Sequence, residues 1–194
     1  MANRATGIVQ EKNLQTSGTR QLSEHSRVFA FRVDLRFPAA QMYPSWIESN
    51  EVISRFVASF KAKIDHNRYL ARAHHRGAHG SSVRYVWARE EGQQGRPHYH
   101  VAFLLNEDAF CALGQFELGR DNMFNRLCEA WGSALGIPVE AAAGLVEVPQ
   151  NPCYHLHRDG MVGVDDFFYR TSYLCKAATK VFGDGVHGFG ASRC

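Results

Sequence analysis

Apolar and charged side chains alternate from Phe31 to Phe37, with Phe31, Val33, Leu35 and Phe37 separated by Arg32, Asp34 and Arg36, and Pro38 ends the run. A period of two belongs to a strand that turns one face to a core, so a half-buried strand is predicted from about residue 27 onward. From Ser49 the period changes. Val52, Ile53, Phe56, Val57, Phe60 and Ile64 recur at helical spacing, and Ser49 or Asn50 can cap the helix they predict. Residues 83–89 and 98–105 predict two more strands, antiparallel across a hairpin connection at residues 92–97, which brings Glu90 beside His98. Phe110, Leu113 and Phe116, followed by Phe124, Leu127, Trp131 and Leu135, predict one interrupted or two consecutive helices closed by Gly136 and Pro138. Residues 145–148 make a short candidate strand. Asp165 or Asp166 caps a last helix that runs to about residue 182, and Gly183, Gly185, Gly188 and Gly190 read as a C-terminal turn region.

Strands interleaved with helices and joined by a tight hairpin predict an α+β sandwich on a largely antiparallel sheet. Residues 1–26 are polar and without a sustained period, and read as a flexible N-terminal arm ahead of one folded domain over residues 27–194. No internal repeat or interdomain linker interrupts that domain. Of the 194 residues, 45% are apolar and 21% charged, ordinary for a globular chain. Five cysteines, odd in number and without a C-x-x-C pair, argue against a disulfide scaffold or a zinc knuckle and for a reducing cytoplasm. No apolar run resembles a signal peptide or reaches the length of a membrane span, so a soluble cytoplasmic protein without a membrane partner is expected.

A net charge of +3 is modest, but its distribution is not even. Lys61, Lys63, Arg68, Arg72, Arg76 and Arg84 face only Asp65 in one stretch, an excess that suits a polyanion, nucleic acid first. The first five are the candidate phosphate contacts.

Candidate chemistry begins at His98-Tyr99-His100. Strand spacing turns both imidazoles to one side, where two neutral rings can chelate one ion. H-x-H is a common pattern in a chain with ten histidines, so its context matters. Glu90, one hairpin away, completes a set of two histidines and a carboxylate that suits a catalytic divalent ion with open positions, and Glu91 is the alternative third ligand. The second such pair, His155 and His157, has Cys153 at strand spacing but loop-like flanks at Asn151-Pro152 and Arg158-Asp159-Gly160, and reads as structural or exposed. Tyr169, Tyr173 and Lys176 stand at i, i+4 and i+7, one face of the last helix. A phenol with a pKa of about 10 needs a polarised phosphate, a base or a nearby cation to act as a nucleophile, and Lys176, one turn from Tyr173, supplies the cation. No Walker A or dinucleotide fingerprint is present.

Three segments in this order resemble the motifs of the HUH (His-hydrophobe-His) endonucleases, the rolling-circle initiators and relaxases: Val33-Asp34-Leu35-Arg36, Pro97-His98-Tyr99-His100 and Tyr173-Leu174-Cys175-Lys176. More narrowly, Arg32-Val33-Asp34-Leu35, Ser172-Tyr173-Leu174-Cys175-Lys176 and the ending Gly188-Phe189-Gly190-Ala191-Ser192-Arg193 resemble the inovirus gene II-type initiators, also described as YagK/YfjJ-type domains. The resemblance implies a ferredoxin-like palm with a central antiparallel sheet of about five strands flanked by helices. It implies one magnesium or manganese ion on His98 and His100, with Glu90 where related initiators carry an acidic ligand. Tyr173 would attack the scissile phosphate of single-stranded DNA at an origin hairpin, stay joined to the 5′ phosphate, and free a 3′ hydroxyl, with Lys176 as the neighbouring cation. Tyr169 would serve as a second tyrosine in a two-tyrosine arrangement, whereas single-tyrosine members manage without one. The same resemblance implies a filamentous phage or related mobile element in a bacterial host, whose helicase and polymerase would act beside it. Two other classes stay open at this point: a non-catalytic DNA-binding protein of a mobile element, and a zinc-binding hydrolase domain.

Overall fold

The computed structural model describes residues 15–38, 49–92, 97–177 and 188–192, with the side chains of residues 173–177 excepted. β1 (Arg27–Leu35) is an inner strand of its sheet. β1 is antiparallel to β3 (Pro97–Asn106) along one edge; its other edge is shared by β4 (Val146–Glu147) and β5 (Cys153–His157), also antiparallel. β2 (Arg84–Glu91) pairs with β3, and β6 (Phe189–Ala191) closes the far side against β2. The result is an α+β fold on a six-stranded, wholly antiparallel sheet that is five strands across, because β4 and β5 share one edge of β1.

Helices cover both faces of this sheet, which is why β1 is buried on both sides rather than half-buried. Phe29, Phe31, Val33 and Leu35 of β1, with Tyr99, Val101, Phe103 and Leu105 of β3, face α2 (Glu51–His74) and α3 (Met123–Leu135). Phe60 packs against Phe103 with tilted rings 4.4 Å apart, and Phe56 meets Trp131 edge-on at 5.6 Å. Trp131 also donates its indole N–H to the Arg36 carbonyl at 2.9 Å, which ties α3 to the end of β1. Replacing a ring of this layer with alanine costs about 3–5 kcal/mol on the general record of such cores.

Small side chains line the opposite face: Val28, Ala30, Val86, Ala88, Ala102 and Leu104 lie beneath Phe167 of α5 (Val164–Ala177) and Leu22 of α1 (residues 15–24). α1 belongs to this layer, which corrects the expected flexible arm for residues 15–24. It escapes periodicity because it docks through small and polar residues: Ser17 and Gln21 are buried, and Gly18 lies so close to Phe168 that a Cβ there would sit 2.7 Å from the ring. Residues 1–14 lie outside the described residues.

Two other local expectations are corrected. Residues 107–122 are loop and turn rather than helix, because Gly114 (φ +83°) and Gly119 (φ +81°) break it, while Phe110 covers the Arg68 guanidinium and Leu113 is buried. α3 starts only at Met123, where Asn122 accepts from the Asn125 N–H at 3.0 Å, and Gly136 ends it in the left-handed conformation (φ 70°) as expected. Between its loop-like flanks, Cys153–His157 is a strand. Phe189–Ala191, read as part of a turn region, is also a strand, and Gly190 is required there because a Cβ would meet the Trp87 indole at 2.5 Å. A fifth short helix, α4 (Val139–Ala143), follows Pro138. Among the described residues no helix is long and apolar enough to cross a membrane.

Candidate metal centre

The apolar strip under α5 ends partway along the sheet, and polar residues take over the same face. Strand alternation dictates which ones. On β3 the residues sharing a face with Ala102 are His100 and His98; the register sets Asp34 of β1 and Ala88 of β2 opposite His100, and Glu90 opposite His98. Glu91 points the other way by the same alternation and is not in the cluster. Of the two carboxylates left open by the sequence, Glu90 is therefore the one in the cluster.

Three atoms converge. His98 Nε2 lies 3.2 Å from His100 Nε2, and Glu90 Oε2 lies 3.1 Å from His100 Nε2 and 3.5 Å from His98 Nε2. Donors about 2.1 Å from a shared ion stand about 3.0 Å apart at octahedral angles and about 3.4 Å apart at tetrahedral ones. The observed separations span that range, so Glu90, His98 and His100 can hold a divalent ion without rearrangement. Borderline donors of this kind suit manganese, zinc or iron as well as magnesium.

Asp34 completes the arrangement and was not foreseen as a site residue. Its Oδ1 is 2.7 Å from His100 Nδ1, so in the neutral ring Nδ1–H donates to the carboxylate and the Nε2 lone pair is left facing Glu90 and His98. Burial alone would raise the Asp34 pKa, but the hydrogen bond and charge of His100, with Arg32 behind them, outweigh it and hold the carboxyl below its ordinary 3.8. For His100, burial pulls downward, yet the Asp34 hydrogen bond and charge, joined by Glu90, leave the ring above its ordinary 6.5. His98 goes below 6.5, through burial first and then the nearby His100. Two adjacent imidazoles thus differ in proton affinity.

Tyr99, between the two histidines, points into the opposite layer. It is fully buried, its hydroxyl donates to Asn50 Oδ1 at 3.4 Å, and burial pushes its phenol up to about 12. It is no nucleophile. Of the tyrosines on α5, Tyr169 is 63% exposed, on the side of the helix away from Phe167 and Thr171, which are buried. Tyr173 and Lys176 lie in the last part of α5, and their side chains fall outside the described residues.

The basic residues are not gathered at the cluster. Lys61, Lys63, Arg68 and Arg72 belong to α2, which covers the opposite face of the sheet, and Arg76 follows it. Several have protein partners: Lys61 sits 5.1 Å from the Tyr85 ring centre, Lys63 bonds Glu129 at 2.7 Å, and Arg68 bonds Asn67 at 3.0 Å and lies over Phe110. Arg72 and Arg76 are exposed. Of the second histidine pair, His155 is tied to Glu107 at 3.0 Å on the sheet edge, and neither histidine joins a metal-type cluster among the described residues.

Comparison with known proteins places this chain in a family. The model of the YagK/YfjJ C-terminal domain matches residues 3–192. The uncharacterized protein YfjJ of Escherichia coli (strain K12) is 34% identical over 183 residues, covering 89% of this chain and 88% of YfjJ. The uncharacterized protein YagK of the same strain is 32% identical over 181 residues, covering 88% of this chain and 86% of YagK. No solved structure matches. The chain belongs to the YagK/YfjJ C-terminal domain family.

Proposed function

We propose that this member of the YagK/YfjJ family is a metal-dependent enzyme of the HUH type that nicks and rejoins single-stranded DNA through a phosphotyrosine intermediate, starting rolling-circle replication of a filamentous phage or related mobile element. The observation that carries this reading is the convergence of Glu90 Oε2, His98 Nε2 and His100 Nε2 on the sheet face against which the tyrosine-bearing helix α5 packs.

When bound, a magnesium or manganese ion at this cluster draws charge from a phosphate oxygen and lowers the barrier to attack. The residues supply the rest. Asp34 keeps His100 in the tautomer that offers Nε2 to the ion. Tyr173 Oη forms an ester bond to phosphorus as the bond to the 3′ oxygen breaks; the phenol loses one proton and the 3′ oxygen gains one, so no other reactant is consumed. Lys176, one turn away, stabilises the phenolate. Rejoining is the same exchange with a 3′ hydroxyl as the attacking group. α2, with Lys61, Lys63, Arg68, Arg72 and the following Arg76, holds the strand or an origin hairpin by its phosphates. Unwinding and synthesis fall to a host helicase and polymerase in the bacterial cytoplasm.

One observation favours a second reading: the basic helix is on the face opposite the cluster, as it would be in a non-catalytic DNA-binding protein that owes nothing to the histidines. Incubation with a panel of single-stranded origin segments and a manganese salt, followed by denaturing electrophoresis, separates the two. The nicking enzyme yields a protein–DNA adduct that a chelator prevents; the binding protein yields none.

A further inference from the structure

Arg32 enters the site as described so far only as the cation behind Asp34. It stands two residues before Asp34 on β1, on the same face, opposite Ala102 of β3. That is one pleat from the cluster toward the layer in which Phe167 of α5 packs. Its side chain is 19% exposed, and Nη2 lies 3.5 Å from Asp34 Oδ1, longer than the roughly 2.7–2.9 Å of a close charge-assisted bond. Its Nε is buried with no hydrogen-bond partner among the described residues. Buried donors are almost always satisfied, so an orphan of this kind calls for an acceptor. The Nε–Nη2 edge of a guanidinium is shaped for two oxygens of one phosphate.

We propose that Arg32 and the Glu90, His98 and His100 cluster together form a binding site for a single phosphodiester group. Charge arithmetic supports the choice of ligand. Asp34 and Glu90 contribute two negative charges, a divalent ion cancels them, and Arg36 is engaged by Glu147. Arg32 then leaves one net positive charge, matching the single negative charge of a diester. Arg32 would meet the diester through its guanidinium beside Asp34, on the sheet face that α5 shares with the cluster. This rests on the metal centre of the proposed function but not on its nicking chemistry.

The test uses the full chain loaded with manganese and the dinucleotide thymidylyl-(3′→5′)-thymidine as the diester, read by paramagnetic relaxation of its phosphorus NMR signal. The wild type is expected to relax the signal. Arg32→Gln is expected to weaken diester binding tenfold or more, Arg32→Lys to fall between the two, and manganese affinity to stay within twofold in both. Circular dichroism checks that each variant is folded, and Arg32→Lys carries the comparison if Arg32→Gln is not. Diester binding by Arg32→Gln equal to wild type overturns the inference. So does a parallel loss of manganese affinity, which would make Arg32 only a support for Asp34. A wild type that binds no manganese sinks the metal centre and this inference with it. Arg32-dependent diester binding without any covalent adduct supports the inference while the nicking reading fails.

Discussion

Asp34 and His100 are 66 residues apart in the chain and 2.7 Å apart in the fold, joined by a hydrogen bond that fixes which imidazole nitrogen is free. β1 and β3 run antiparallel with these two residues directly opposite each other, so the bond is a product of register. A one-residue slip would turn Asp34 to the other face and leave His100 without its orienting partner.

Asp34→Asn should therefore weaken manganese binding about 10–100-fold, or roughly 1.4–2.7 kcal/mol, although Asp34 is not itself a ligand. Isothermal titration of the full chain checks this. An affinity within twofold of wild type would remove Asp34 from the centre.

The same variant has a pH signature in the metal-free protein. His100 is raised above 6.5, so its contribution to stability is full below pH 6.5 and is lost as pH rises through its folded value. Asp34 is lowered below 3.8, so its contribution is present above pH 3.8 and is lost as pH falls through its folded value. The charged pair thus contributes most between those limits. His98, which is lowered, opposes this trend but is common to both proteins. Asp34→Asn should cost more stability at pH 5.5 than at pH 8, as read by urea unfolding at each pH. Equal costs would contradict the pairing.

Gly190→Ala tests the packing of β6. A methyl group there meets the Trp87 indole at 2.5 Å, and overpacking of this kind costs about 1–3 kcal/mol. The urea midpoint should fall accordingly, with manganese affinity unchanged.

Neutralising Lys61, Arg72 and Arg76 together should weaken single-stranded DNA binding and flatten its salt dependence by about two to three phosphate contacts. Because α2 lies on the face opposite the cluster, manganese affinity should not move. A salt slope equal to wild type would place the DNA elsewhere.

How much of this was legible depends on whether the signal was local. The alternation of Phe31 to Phe37, the helical run Val52 to Ile64 and the pairing of Glu90 with His98 are short-range patterns, and each appears in the fold at its expected place. Asp34 looked like one more charged residue on a solvated strand face, since nothing in the chain near it signals a histidine 66 residues away. α1 has no apolar stripe to read, only Leu22 and a close glycine contact. β5 and β6 are five and three residues long, too short for a period to emerge against glycine and loop-type neighbours. The separation of the basic helix from the cluster is a property of the layers, which a charge count along the chain does not contain.

In the proposed reaction a tyrosine on α5 becomes joined to DNA under control of the histidine cluster. Single-turnover adduct formation with manganese, followed by mass spectrometry of the DNA-linked peptide, tests it most directly. The account predicts a 5′-phosphotyrosine at Tyr173, no adduct in Tyr173→Phe or in His98→Ala with His100→Ala, and a rate within about tenfold of wild type in Tyr169→Phe, a barrier change of about 1.4 kcal/mol or less. An adduct that persists in Tyr173→Phe and vanishes in Tyr169→Phe would reverse the assignment, and one that persists in the double histidine variant at the wild-type rate would contradict the account.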